Sequence, residues 1–153
     1  MNWLRRWWPA LAWATLISLF STHTFTAENT GHVIIPILHS IFPSASADTL
    51  RQMHFFIRKS GHFTEYFIFA LLVLRGIRAG HRALGLRWVL AMTLLAVAAY
   101  ASLDEFHQRF VPGRTAAVSD VVLDTTGGAA ALLIASIVLL SVDAKRRQGA
   151  ASG

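Results

Sequence analysis

The chain has no cysteine and is poor in charge. With a cysteine count of zero, it can form neither a disulfide framework nor a thiolate metal site. Charged residues make up 14% of its 153 residues, whereas a soluble domain usually carries about 25%. So few charges cannot cover a water-facing surface, and the 54% of hydrophobic residues indicates that lipid is the solvent.

The charges that are present are mostly basic, and the formal net charge is +6. In a soluble protein this excess would favour nucleic acid as a partner. Here the Lys and Arg residues stand in short segments at the ends of apolar runs and not on a soluble basic face. No nucleic-acid partner is therefore expected, and we interpret these residues as membrane topology signals.

Four apolar runs divide the chain, whose length suits a single domain, residues 1–153. Because about 20 apolar residues cross a bilayer, they predict an all-α, polytopic membrane helix bundle with four transmembrane helices. The runs cover residues 7–25, 62–77, 86–103 and 118–142. Pro9 falls in the predicted first turn, where its missing N–H costs little. The first run could also be a signal peptide, but residues 21–27 lack a small-x-small cleavage site, which favours a retained anchor.

Basic residues flanking the runs orient the bundle. With the N-terminus inside, nine of them lie on the cytoplasmic side and five outside, in agreement with the positive-inside rule. The sequence thus predicts a multi-pass protein of the inner (plasma) membrane, with both termini cytoplasmic and the lipid bilayer as a partner. Its oligomeric state stays open. The inner residues are Arg5, Arg6, Arg75, Arg78, Arg82, Arg87, Lys145, Arg146 and Arg147. The outer residues are Arg51, Arg58, Lys59, Arg109 and Arg114.

The outer segment at residues 26–60 is long and not simply polar. Residues 33–42 are mainly apolar and are broken by Pro36 and followed by Pro43. Such a short segment does not cross a bilayer and is either interfacial or re-entrant. Ser44 or Ser46 could cap a further helix that runs towards the second span.

Polar residues gather at the outer ends of the last three spans, and the first cluster precedes and enters the second span. Helical spacing puts four of its members on one face: Arg58, His62, Glu65 and Tyr66. An ionisable residue at membrane depth is costly and tends to face the bundle interior. His62 and Glu65 are therefore expected to point inward.

The second cluster follows the third span. Its helical spacing gives two overlapping faces, Asp104 with His107 and Gln108, and Glu105 with Gln108 and Arg109. Pro112 and Gly113 are a strong turn signal that ends the helix. Arg114 comes directly after this turn.

The third cluster opens the fourth span, which Ser119 could cap. Asp120, Asp124, Gly127 and Gly128 share one helix face. Because small residues let membrane helices approach closely, this face is expected to pack against another helix, with its two acids in the joint.

These three clusters, in this order, resemble the VanZ-like membrane proteins. The resemblance covers roughly residues 53–131 and rests on the following residues: Arg58, Lys59, His62, Phe63, Glu65, Tyr66, Asp104, Glu105, Gln108, Phe110, Pro112, Gly113, Arg114, Asp120, Asp124, Gly127 and Gly128. Asp124 is a departure, since the family often has Asn there. The resemblance implies a multi-span membrane protein of a family named for low-level resistance to the glycopeptide teicoplanin, and it implies no particular reaction.

One hypothesis for the polar clusters is a site for an anionic headgroup at the outer face. Arginine offers bidentate geometry to a phosphate, and proton transfer needs carboxylates or histidines. The candidate binding residues are Arg58, Lys59, Gln108 and Arg114, with Arg109 as a further possible phosphate ligand. The candidate catalytic residues are His62, Glu65, Glu105, His107, Asp120 and Asp124. The ligand would be a lipid-linked envelope precursor, which the protein either binds or, as a membrane-embedded hydrolase or transferase, converts.

Two other hypotheses stay open. The charges could simply hold the helices together as a structural or assembly device, for instance Arg114 with Asp120, and Arg58 or Lys59 with Glu65. The same carboxylates and histidines are also acceptable ligands for a divalent metal. However, neither a His-x-x-x-His nor a His-Glu-x-x-His pattern occurs, so no metal site and no cofactor is expected.

Overall fold

The computed structural model describes residues 2–81, 83–114 and 116–151, and within these ranges the regular structure is entirely helical. Of the inner basic residues, Arg82 lies outside the described residues, as do the side chains of Arg146 and Arg147. The helices are α1 (Trp3–Phe20), a 3₁₀ turn (His23–Phe25), α2 (Ala27–Ile41), α3 (Ala47–Gly80), α4 (Leu86–Gln108) and α5 (Val118–Ala151).

The first helix is shifted towards the N-terminus relative to the predicted run at 7–25. It begins at Trp3 and ends at Phe20, so the prediction that Pro9 lies in the first turn is wrong. Pro9 lies inside α1, where it removes one i to i−4 hydrogen bond. After α1 the chain turns at Ser21, whose N–H donates to the Ile17 carbonyl over 2.9 Å.

The apolar outer segment forms one helix and is not broken at Pro36. Thr26 caps α2 by accepting a hydrogen bond from the Asn29 N–H over 3.2 Å. The helix passes through Pro36 and ends at Ile41, before Pro43. A proline keeps a helical φ and costs a single backbone bond, so the rest of α2 can continue around it. Val33, Ile37 and Ile41 form an exposed apolar stripe at intervals of four residues.

Ser46 caps α3, as predicted for Ser44 or Ser46, because its hydroxyl accepts from the Thr49 N–H over 3.2 Å. From there α3 runs without a break to Gly80, so the outer-loop helix and the predicted second span are one element. The predicted cap at Ser119 is wrong, since α5 already begins at Val118. The Ser119 hydroxyl instead donates to Asp120 over 3.3 Å.

Two helices, within the described residues, are long and apolar enough to cross a membrane: Leu86–Gln108, which is α4, and Val118–Lys145 of α5. Only 22% of the apolar window of each is buried inside the protein, so most of this apolar surface faces outward. By the same measure α1 and α3 do not qualify. Arg5 and Arg6 lower the hydropathy of α1, and Glu65 and Arg75 limit the uninterrupted apolar stretch of α3.

The helices pack around α3, which contacts α1, α2, α4 and α5. Helices α3 and α5 approach each other closely. A Cβ at Gly127 would clash with the backbone carbonyl of Phe63, and a Cβ at Gly128 would come within 2.7 Å of Val97 on α4. The prediction that this glycine pair allows close packing is confirmed. The crossing brings the N-terminal half of α3 directly against the start of α5.

Candidate functional site

Two neighbouring cavities lie where α1, α2, α3 and the α4–α5 connection meet. The first, of about 260 Å³, is lined by the polar residues Arg58, His62, Glu65 and Arg114 and by apolar residues that include Phe20, Phe25, Ile34 and Ile57. The second, of about 210 Å³, is lined by Ala27, Phe55, Arg58, Lys59, His62, Gln108, Gly113, Arg114 and Asp120. Arg58, His62 and Arg114 border both, so these three side chains separate one cavity from the other.

The left-handed turn after α4 places Arg114. Gly113 has φ +78°, a conformation that favours glycine, which confirms the predicted Pro112-Gly113 turn. The half-buried Arg114 donates from Nη2 to the Phe20 carbonyl at the end of α1 and from Nη1 to Gln108 Oε1 over 3.4 Å. Its Nε is buried without a hydrogen-bond partner among the residues that the structure describes. The guanidinium is thus held from two sides and still has hydrogen-bonding capacity unused.

Arg58 faces the same cavities from α3. Its Nη1 donates to the Phe25 carbonyl over 2.9 Å and to the Thr30 hydroxyl over 3.1 Å. Burial lowers the pKa of Arg58, and the nearby Arg114 charge lowers it further. Burial also lowers the pKa of Arg114, against several acids that raise it. Both groups stay protonated, since arginine does not lose its proton in proteins, so two positive charges repel each other across a shared space.

Ion pairing at this site differs from the arrangement that the structural hypothesis expected. Asp120 pairs with Lys59 on α3 and not with Arg114. Glu65 has no ion-pair partner among the described residues, and neither Arg58 nor Arg114 lies within ion-pair distance of a carboxylate there. The proposed pairs Arg114–Asp120 and Arg58–Glu65 or Lys59–Glu65 are therefore wrong for this structure.

His62 and Asp124 meet in the joint between α3 and α5. His62 Nδ1 lies 3.4 Å from Asp124 Oδ1, and Asp124 is only 1% exposed. The two atoms are close enough for an ion pair, yet their geometry makes no hydrogen bond, and neither has another partner in the described chain. Glu65, one turn after His62, lines the first cavity beside Arg114. Its backbone carbonyl accepts from Trp13 Nε1 over 2.9 Å, which ties this turn of α3 to α1.

Gln108 is fixed by a buried network that includes two residues outside the predicted site. Asp104 Oδ2 accepts from the Ser21 hydroxyl over 2.8 Å and from Gln108 Nε2 over 3.0 Å. This leaves Gln108 Oε1 to accept from Arg114. Asp104 and Gln108 stand four residues apart on one helix face, which is a signal in the sequence. Ser21 gives no such signal, since its contribution depends on how α1 packs.

The remaining candidates lie around the cavities and not in them. Glu105 is buried, and its carboxylate accepts the Ala117 N–H just before α5 begins, where a negative charge suits the helix dipole. His107 is exposed and borders a separate groove of about 500 Å³, shared with His23 and Glu28. Arg109 is exposed as well. In the described part of the chain, no three His, Asp or Glu side chains are grouped so that they could hold a metal ion.

Comparison with models of known protein families gives a match over most of the chain. The family model described as VanZ/LLP1 matches residues 7–139, a range that includes all the residues that line the two cavities. No curated protein and no solved structure gives a match.

Proposed function

The chain belongs to the VanZ/LLP1 family, and on that premise we propose that it is a membrane protein whose outer cavities bind the phosphate headgroup of an anionic, lipid-linked component of the cell envelope. The link between this family and glycopeptide resistance fits such a ligand, since glycopeptides act on the envelope. A membrane-embedded hydrolase or transferase and a structural partner are the alternatives.

The observation that carries this proposal is the pair of arginines that have no carboxylate within ion-pair distance among the described residues. Arg58 and Arg114 border both cavities, and both are half-buried. Two like charges held together away from water are unfavourable unless an anion compensates them. Planar guanidinium groups match the oxygens of a phosphate in a bidentate manner. An anion between them would remove their repulsion and use the donor capacity that is unfilled at Arg114 Nε.

The shape of the first cavity favours an amphiphile over a free ion. Its lining combines the polar side chains of Arg58, Arg114 and His62 with the apolar residues Phe20, Phe25, Ile34 and Ile57. A phosphate at the polar side chains would leave an attached hydrocarbon chain against the apolar residues. Nearby, α2 and the first part of α3 carry exposed apolar side chains, among them Phe55 and Phe56. We propose that this surface lies in the membrane interface.

We propose that α1, α3, α4 and α5 all cross the membrane, with both termini in the cytoplasm. At 1.5 Å per residue, the 34 residues of α3 are longer than a hydrocarbon core of about 30 Å requires. Its first turns can therefore extend beyond the core. Of the outer basic residues, Lys59 pairs with Asp120, and Arg51 pairs with Asp48 over 2.8 Å. These ion pairs give two of the five outer basic residues a role other than that of a topology signal.

Single cysteines test this topology, because the natural chain contains none. Glu28→Cys, on the exposed first turn of α2, is expected to react with a membrane-impermeant maleimide in intact cells. Leu84→Cys, in the exposed turn between α3 and α4, is the matched control and is expected to react only after the membrane is permeabilised. Equal labelling of both positions in intact cells, or the reverse pattern, would contradict the proposed orientation.

The binding proposal is tested with a matched pair of short-chain probes, farnesyl phosphate and farnesol. The purified protein in phosphatidylcholine nanodiscs is titrated with each, and heat release gives the Kd. We expect farnesyl phosphate to bind at least about 10-fold more tightly than farnesol, since one hydrogen bond to a charged group contributes about 1.5–3 kcal/mol. Higher ionic strength is expected to weaken binding of the phosphate alone. Equal Kd values for the two probes would refute phosphate recognition.

A further inference from the structure

A carboxylate–histidine pair lies next to the arginines and is not needed for phosphate binding. His62 Nδ1 faces Asp124 Oδ1 at 3.4 Å, and neither atom has a hydrogen-bond partner among the described residues. One turn further along α5, Gly127 touches the backbone carbonyl of Phe63, the residue after His62. Because the two helices are in backbone contact at this point, the spacing between His62 and Asp124 is fixed.

The orientation of His62 directs its second ring nitrogen away from Asp124. A carboxylate beside Nδ1 favours the tautomer with the proton on Nδ1, which leaves Nε2 free to accept a proton. The His62 ring borders both cavities together with Arg58 and Arg114. A base whose tautomer the neighbouring carboxylate favours therefore stands beside the space where two guanidinium groups would hold a phosphate. This is the combination of groups that hydrolysis at phosphorus requires: charge stabilisation and a positioned base.

We propose that this site hydrolyses the phosphoanhydride bond of a lipid pyrophosphate, with His62 as the general base and Asp124 as its positioning residue. The inference rests on the proposed phosphate binding at Arg58 and Arg114. The oxygen of a water molecule attacks the terminal phosphorus, and His62 Nε2 takes one proton from it. The bond between that phosphorus and the bridging oxygen breaks. The products are the lipid monophosphate and inorganic phosphate, and His62 then releases its proton to solvent.

An anhydride fits the residues better than a monoester does. The departing oxygen of an anhydride belongs to a phosphate and is stable as an anion near neutral pH, because the second phosphate pKa is about 6. The departing oxygen of an alkyl monoester is an alkoxide and needs a proton donor. The arginines stabilise the negative charge that a departing phosphate keeps. The reaction therefore balances with His62, Arg58 and Arg114 alone.

The test measures binding and turnover on the same samples. Protein in phosphatidylcholine vesicles receives farnesyl pyrophosphate or farnesyl phosphate, and released inorganic phosphate is followed with time. We expect release from the pyrophosphate and not from the monophosphate. His62→Gln is expected to lower kcat by about 10²-fold or more, the usual contribution of a general base, with KM and probe binding within about 3-fold of the natural protein. The His62→Gln variant, purified in the same way, is also the control for contaminating phosphatases, because any contaminant would be present in both samples.

Variants of Asp124 distinguish a role in positioning His62 from a role in stabilising the fold. Asn offers a carbonyl oxygen that can accept the His62 Nδ1 proton, so Asp124→Asn is expected to keep most of the turnover. Asp124→Leu cannot accept it and is expected to lower kcat as far as His62→Gln does, without a change in KM. Probe binding without phosphate release, or full turnover by His62→Gln, would overturn the inference and leave the binding proposal intact. Absence of any binding of the pyrophosphate would overturn both.

Discussion

Arg114→Lys is expected to weaken the binding of farnesyl phosphate by about 10- to 100-fold, while the protein stays folded in the membrane. Lysine keeps the charge but replaces a planar fork of donors by a single ammonium group. In the structure Arg114 already uses Nη2 on the Phe20 carbonyl and Nη1 on Gln108. A lysine that satisfied either acceptor would have little left for a phosphate. A loss of about 1.5–3 kcal/mol corresponds to one hydrogen bond to a charged group.

Arg109→Lys is the matched control, because Arg109 is the same residue type nearby but is exposed and borders neither cavity. Its Kd for farnesyl phosphate is expected to stay within about 2-fold of the natural value, as surface pairs and charges contribute little. Calorimetry in nanodiscs gives the Kd of each variant, and size-exclusion chromatography checks its folding. An Arg114→Lys variant that binds as tightly as Arg109→Lys would show that charge alone suffices, and would contradict bidentate recognition.

Helical spacing accounts for most of the site that could be predicted from the sequence. Spacing alone put His62 and Glu65 on the inward face of one helix and Asp124 with Gly127 on one face of another. The structure brings these faces together, with His62 3.4 Å from Asp124 and Gly127 against Phe63. The reason is physical: polar groups avoid lipid and glycines permit close contact, and both effects act on whole helix faces. Any tight packing of these two faces places their polar residues in one joint.

The choice of partners within the joint could not be predicted in this way. Asp120 and Arg114 are close in sequence, which favoured an Arg114–Asp120 pair, yet Lys59 pairs with Asp120. Which cation reaches an acid depends on the rotation of α3 against α5 and on the path of the turn at Gly113. Likewise, Ser21 joins Asp104 over 2.8 Å only because α1 ends beside α4. Spacing along one helix carries no information on such contacts between helices.

Helix ends were predicted less well than helix faces. Hydropathy predicts the first run at residues 7–25, but α1 covers Trp3–Phe20. The start differs because Arg5 and Arg6 lower the hydropathy although arginine is a good helix former. In α2, the sequence predicts a break at Pro36, but the helix continues through it, because a single missing N–H does not end a helix that is capped and packed. Only α4 and α5 satisfy a strict test of length and hydropathy for spanning. In α3, one of the charged residues that limit the apolar stretch makes an interhelical contact: Arg75 donates to the Arg6 carbonyl of α1 over 3.1 Å.

Lys59→Ala is expected to destabilise the protein more than the double variant Lys59→Ala with Asp120→Ala. Side-chain exposures of 28% for Lys59 and 13% for Asp120 make their ion pair a partly buried one. Removing the lysine alone leaves the Asp120 carboxylate partly buried without its ion-pair partner. We expect this to lower the free energy of unfolding by roughly 1–3 kcal/mol, between the values for exposed and buried pairs. Removing both leaves no orphaned charge. Thermal unfolding in detergent, with all four members of the cycle, gives the coupling between the two residues.

The same cycle run on Arg114 separates a structural cluster from a ligand site. If Asp120 existed to neutralise Arg114, Asp120→Ala would restore stability and phosphate binding to Arg114→Ala. Asp120 already forms an ion pair with Lys59, and Arg114 has no carboxylate partner among the described residues. We therefore expect that Asp120→Ala restores neither stability nor phosphate binding. The effects of the two substitutions on the free energy of unfolding should then be additive within about 0.5 kcal/mol. Recovery of farnesyl phosphate binding in Arg114→Ala with Asp120→Ala would mean that the positive charge serves the acid and not a ligand.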